Sequence, residues 1–266
     1  MMSTQVQHRT NIHEGKWWPC KTVTLRDGVL KCLLEPDKSY DLAEAYESSP
    51  HVRFANAESD RELVDFIREW GPPWILSSAI PTDGVLYLPL SQLRADQRHV
   101  KALLNGLTAV KLAGGEREAL GELIAAEVAL RGGIPDPLFL EEFQIRGSVA
   151  EWLKSANLKT VRVATGYLIN RAVMTMFSLQ LTFQWNGSRD HVEAGWNFMN
   201  LRDALLWMIW YDEFTKHPVI CCAECRKVFR GETARARKYC SLECGHRATA
   251  REAMRKKRAA ERAGRK

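Results

Sequence analysis

Cys222-Ala-Glu-Cys225 and Cys240-Ser-Leu-Glu-Cys244 are two cysteine pairs separated by fourteen intervening residues. A tetrahedral Zn²⁺ takes four thiolates, and two close pairs supply them with only one loop to close. The x2 spacing suits a tight knuckle. The x3 spacing puts Cys240 and Cys244 at i and i+4, stacked on the first turn of a helix. The expected site is therefore one structural zinc ion per chain, held by Cys222, Cys225, Cys240 and Cys244 in treble-clef or ribbon geometry. Cys221 could in principle replace Cys222, although Cys222-x2-Cys225 is the commoner knuckle. The competing reading is a set of buried free thiols.

The residues around the pairs add a resemblance. Cys222-x2-Cys225-Arg-Lys-Val-Phe229, a basic stretch, and Tyr239-Cys240-Ser241-x2-Cys244-Gly245-His246-Arg247 are similar to the C-terminal zinc finger of the CGNR family of bacterial proteins. About 30 of the 266 residues are covered, and His246 stands where that family has Asn. The resemblance implies a bacterial DNA-binding transcription regulator in which the finger follows a larger helical domain.

Charge is concentrated in the same region. Residues 221–266 hold 15 Lys and Arg against 5 Asp and Glu, a net of +10 in a chain whose total is +6, so residues 1–220 carry −4. Four thiolates and one Zn²⁺ would leave the basic segment near +8, which invites a polyanion. Beyond Cys244, a composition rich in Ala, Arg, Lys and Glu with no Pro predicts a helix through Glu261. On it Arg247, Arg251, Arg255, Arg258 and Arg262 recur at helical spacing along one face. They form either a cationic stripe for phosphates or a solvated basic tail. The candidate nucleic-acid contacts are Arg235, Arg237, Lys238, His246, Arg247, Arg251, Arg255 and Arg258. His246 is also close enough in sequence to be weighed as a further metal ligand, with backbone or nucleic acid the better partner for a helical residue there.

The rest of the chain reads as an α-rich α+β domain. Residues 1–15 are polar and aperiodic, a flexible arm. Trp17-Trp18 is core or edge cover, or else a stacking platform. Val23, Leu25, Leu30, Cys32 and Leu34 share a face if Asp27-Gly28 is a two-residue hairpin turn, which opposes Cys32 to Val23. In an unbroken ladder Cys20 lies too far along to bridge Cys32. Ser59-Asp-Arg-Glu62 is a capping box opening a helix that Gly71-Pro-Pro stops. Helices follow around Val100–Leu107 and Leu120–Val128, and Gly132 through Pro137 is a break. Residues 148–181 look helical with an interruption near Gly166, while Leu179–Trp185 reads equally as a strand. Asp190–Glu193 reads as a loop. Asn200 caps a last helix whose apolar run, Ala204–Tyr211, implies burial on most sides.

No Gly-x-Ser-x-Gly, phosphate loop, His-Glu-x-x-His or dinucleotide fingerprint is present, and the remaining histidines are scattered, so no enzyme is expected. The longest apolar run is far shorter than the roughly 18 residues of a membrane span, and no basic start leads into an apolar stretch. Seven cysteines, four of them at metal spacing, suit a reducing compartment. The expectation is a cytoplasmic protein with a flexible arm (1–15), an α-rich sensing or interaction domain (16–217) able to fold alone, a zinc finger (218–248) and a basic helical tail (249–266). Its expected partner is DNA, with RNA as an alternative target and a small molecule or protein as ligand of the larger domain. The rival function is a zinc-stabilised protein-interaction adaptor with a solvated tail.

Overall fold

The computed structural model describes residues 19–35, 42–73, 83–112, 115–176, 180–186, 191–198, 200–214, 219–231 and 238–263. The arm, Trp17-Trp18, Asp190, His217, Arg235 and Arg237 lie outside the described residues. In chain order come β1 (Cys20–Arg26), β2 (Val29–Leu34), α1 (Leu42–Glu47), α2 (Pro50–Asn56), α3 (Asp60–Trp70) and β3 (Val85–Pro89). Then follow α4 (Leu90–Leu112), α5 (Glu116–Leu130), α6 (Pro137–Glu142), α7 (Val149–Ser155) and α8 (Leu158–Met176). The last elements are β4 (Gln180–Asn186), β5 (His191–Asn197), α9 (Leu201–Phe214), β6 (Val219–Cys221), β7 (Val228–Arg230) and α10 (Leu242–Ala263). The protein is α+β and mostly helical, as its patterning predicts. No helix among the described residues is long and apolar enough to cross a membrane.

Two compact units divide the chain, one made of Met1–Leu93 and Ala172–Met208, the other of Arg94–Arg171 and Ile209–Lys266. This differs from the linear division at residue 217, because the finger shares a unit with the helical segment 94–171.

In the first unit β1, β2 and β3 form an antiparallel sheet in that order. Asp27 and Gly28 both take positive φ, 48° and 73°, which gives the two-residue turn a twist matching the strands. Val23 faces Cys32 as expected, and Leu30, Cys32 and Leu34 are buried. One residue disagrees with the ladder. A bulge between Cys20 and Thr22 pairs Cys20 with Leu34, returning its side chain to the buried face diagonal to Cys32. The thiols hydrogen-bond; that bond together with burial holds the Cys20 proton well above its ordinary pKa, and the same bond lowers Cys32 against its own burial.

Helix α3 opens on the complete capping box. Ser59 Oγ accepts from Glu62 N at 3.2 Å, and the Glu62 carboxylate accepts from Ser59 N at 2.7 Å. Leu63, Phe66, Ile67 and Trp70 form its buried stripe, with the Phe66 ring tilted against Phe54 of α2, centroids 4.8 Å apart. Ser59→Ala removes one arm of the box and is expected to cost about 1 kcal/mol, read as a lower urea midpoint with unchanged slope. Strands β4 and β5 pair antiparallel from Gln180↔Asn197 to Asn186↔His191. His191 and Glu193 therefore lie in a strand and not in a loop, paired with Asn186 and Gln184 of β4. Asn200 caps α9 as read, its Oδ1 accepting from Asp203 N at 2.9 Å.

In the second unit the helical break falls ten residues before Gly166, at Ala156-Asn157. There Asn157 Oδ1 accepts from Thr160 N and restarts the chain as α8, which passes through Gly166 without interruption. Gly106 is the position where close approach matters, because a Cβ there would stand 3.2 Å from Thr165 Cγ2 of α8. Phe139, Phe143, Trp152 and Tyr167 make an aromatic cluster joining α6, α7 and α8.

Candidate metal centre and basic helix

Strands β6 and β7 pair antiparallel, Val219 with Arg230 and Cys221 with Val228. Between them the chain folds into a knuckle in which Cys222 N donates to Lys227 O at 2.8 Å and Arg226 N donates to Cys222 O at 2.9 Å. Arg226 closes this turn with φ 60°, an uncommon conformation for a side chain of its size. Ala223 N then donates to Lys238 O, tying the returning segment to the knuckle. Ser241 caps α10, its Oγ accepting from Cys244 N at 3.2 Å, so the cap itself fixes where the fourth sulfur stands.

These local bonds converge on one point. The sulfurs of Cys222, Cys225, Cys240 and Cys244 all lie within 4.8 Å of one another. Cys225 and Cys240 are 3.5 Å apart, Cys240 and Cys244 3.6 Å. Around a metal with bonds of about 2.3 Å, tetrahedral sulfurs stand about 3.8 Å apart, whereas a disulfide needs about 2.05 Å. The four cysteines can thus hold one tetrahedral metal ion and are not disulfide-bonded.

The electrostatics divide the four sulfurs into two kinds. Burial opposes ionisation of Cys222, but N–H groups of Cys225, Cys240 and Glu224 outweigh it and lower its thiol to about 6. Arg247 donates to Cys244 Sγ at 3.2 Å and, with Ser241, lowers that thiol too. Burial and the neighbouring sulfurs push Cys240 up to about 12, and Cys225 is also raised, by burial first. A bound metal holds all four sulfurs as thiolates, so its uptake releases protons, from the raised Cys240 and Cys225 thiols above all, and acid reverses it.

Cys221 stands apart from this group. Its N donates to Thr108 Oγ1 of α4 at 2.9 Å, its Sγ sits 3.4 Å from Arg226 O, and burial raises its thiol. Alternation along β6 turns it away from the neighbouring ligand, which leaves Cys222 in the knuckle position.

Comparison with family models, with curated proteins and with solved structures returns no match. The site must be read from its own chemistry.

Of the residues expected to meet nucleic acid, the structure divides the described ones into three groups. Arg247 and Arg251 are tied to the finger, Arg247 through Cys244 and Arg251 through Glu224, at 2.8 Å. Both also reach outward, Arg251 with 75 % of its side chain exposed. Arg255 pairs along the helix with Glu252, and Arg258 makes no ion pair among the described residues. At about 100° per residue, Arg247, Arg251, Arg255 and Arg258 fall within roughly 80° of one another. His246 lies roughly 100° or more from that face and outside the sulfur cluster, so it shares neither the stripe nor the metal site. Lys238 is exposed beside the knuckle. Every residue from Ala253 to Glu261 is exposed, so this stretch of α10 has no apolar face against the protein.

Two structural partners of the finger were invisible in the sequence. Arg230 of β7 donates to Asp212 of α9 at 2.7 Å, and Asp212 is fully buried. Arg226 meets Glu122 of α5 at 3.1 Å. Both are long-range pairs with no local spacing to mark them.

Proposed function

We propose that the chain is a zinc-finger protein that binds nucleic acid, a DNA-binding transcription regulator of the kind the CGNR-like finger implies. Zinc is the metal that a four-thiolate tetrahedral site with no open position favours. The observation that carries the reading is the uncovered cationic face of α10, seated directly on the metal centre. Ala253 to Glu261 are all exposed, so this stretch is not packed on its own protein. An α-helix about 10–12 Å across fits the major groove of about 12 Å, and Arg251 to Arg258 spans about 10 Å of axis. Arg255 and Arg258 are exposed, where their guanidinium forks can meet phosphate oxygens once Arg255 exchanges Glu252 for them, and Arg251 is held by Glu224.

The test is the salt dependence of binding to duplex DNA. Replacing Arg251, Arg255 and Arg258 together by Gln is expected to reduce the slope of log K against log salt by about 2 to 3 units, at about 0.9 per phosphate contact. Metal content stays unchanged, because none of the three touches a sulfur. An unaltered slope would move the footprint off this helix. Absence of DNA affinity at low salt in the parent protein would end the reading and leave the adaptor role in its place.

A further inference from the structure

Beside the finger, within the second unit, lies a cleft of about 430 Å³ between α4 and α5. Its floor is apolar and formed by small side chains from both helices, Ala102 and Ala126 among them. Its rim is cationic. Arg98 and Lys101 come from successive turns of α4, and Arg226 reaches in from the metal knuckle. The one carboxylate among the described lining residues, Glu122, is already engaged by Arg226 and by Asn105 Nδ2 at 2.8 Å.

The volume and the mixed lining fall within the range of small-molecule sites. Clefts of several hundred Å³ with apolar walls and a few converging polar groups are where ligands bind. Three cations around one opening focus a positive potential on it, and Arg recognises planar or tetrahedral oxyanions with its paired N–H groups. The alanines leave room on the floor for a flat or compact apolar body.

We propose that this cleft binds a small organic oxyanion, a carboxylate or phosphate carried on a compact apolar body, with Arg98, Lys101 and Arg226 on the charged end and the alanine floor under the rest. Arg226 gives the site its place in the molecule. It directly follows Cys225 and closes the knuckle turn, so a bound anion competes with Glu122 for the same side chain whose backbone shapes the metal site. The proposal concerns a ligand of the helical unit and does not depend on nucleic-acid binding, since its test contains no nucleic acid.

The experiment is calorimetric titration of the full-length, metal-loaded protein in moderate salt with benzoate, phenyl phosphate, benzamide and inorganic phosphate. Saturable one-to-one binding of benzoate or phenyl phosphate, with benzamide and inorganic phosphate at least about tenfold weaker, is the expected result, and the better of the two anions identifies the head group. Arg98→Gln with Lys101→Gln should weaken that binding at least about tenfold. Ala125→Leu provides a second variant that fills the cleft from an exposed helical position, leaves the core untouched and should abolish binding. Failure of both organic anions to saturate would overturn the proposal. So would equal binding of inorganic phosphate, which would mark general attraction to a basic protein, or binding that survives both variants, which would place it elsewhere.

Discussion

Serine at Cys240 or at Cys244 is expected to abolish stoichiometric metal binding, while serine at Cys221 leaves one zinc ion per chain. Elemental analysis of the purified variants distinguishes the two outcomes. The basis is geometric: Cys240 stands 3.5 and 3.6 Å from two other sulfurs, whereas Cys221 is held against Thr108 and the Arg226 carbonyl. The effect is large because a structural zinc site adds its binding free energy, of the order of 10 kcal/mol or more near neutral pH, to folding. Loss of the metal should therefore unfold the knuckle and release the start of α10, seen as reduced helical ellipticity. The pH dependence has a fixed sign. Metal holds all four sulfurs deprotonated, so the stability it confers is present at neutral pH and is lost as protons compete on acidification. Cys240 and Cys225, whose thiols are raised without metal, are the ones that take protons back most readily. A Cys221 variant without metal, or a Cys222 variant that keeps it, would reassign the ligands.

The second large effect concerns the join between finger and helices. A chain ending at residue 216 is expected to aggregate or to lose cooperative unfolding. Val219, Ile220, Cys222 and Val228 are buried, and Cys221 N closes a buried hydrogen bond to Thr108 of α4. Truncation strips this cover from the second unit and removes Arg230 from the buried Asp212. The point variant Arg230→Met isolates the last term. Taking the guanidinium from a buried carboxylate costs about 3 kcal/mol, the low end for such pairs because Arg230 is itself 24 % exposed. Combining it with Asp212→Leu should recover most of the loss, since two apolar groups replace two charges. A truncated protein that stays monomeric and unfolds cooperatively would show that residues 1–216 fold alone.

What could be read in the sequence were features whose cause is local. Asp27-Gly28 supplies its own positive φ values, Ser59 and Glu62 bond across a single turn, and the cysteine pairs need only a knuckle and a helical turn to converge. The third strand, Val85–Pro89, also has a local signal, a Val-Leu-Tyr-Leu run after the turn residues Asp83-Gly84. Other features were not legible. The bulge that returns Cys20 to the core is set by how β1 closes on β2, and the break at Asn157 by a cap that competes with a more conspicuous glycine. Arg247 and Arg251 looked like members of a uniform stripe. Only the fold shows that their neighbours are a sulfur and a knuckle carboxylate.

The way α10 is held gives it an unequal stability along its length. Forming the first turn is the slow and unfavourable step for any helix, with a nucleation constant of about 10⁻³, and here the Ser241 cap and the Cys244 sulfur fix that turn in place. Beyond the Arg251–Glu224 tie, the exposed stretch Ala253–Glu261 is supported by i,i+3 and i,i+4 pairs such as Arg255–Glu252 and by helix propagation. Such a helix frays from its far end, with amide exchange quickening towards Glu261. The arginines nearest the metal thus stand on the anchored end of the helix, and Arg258 on the end expected to bend or shorten first.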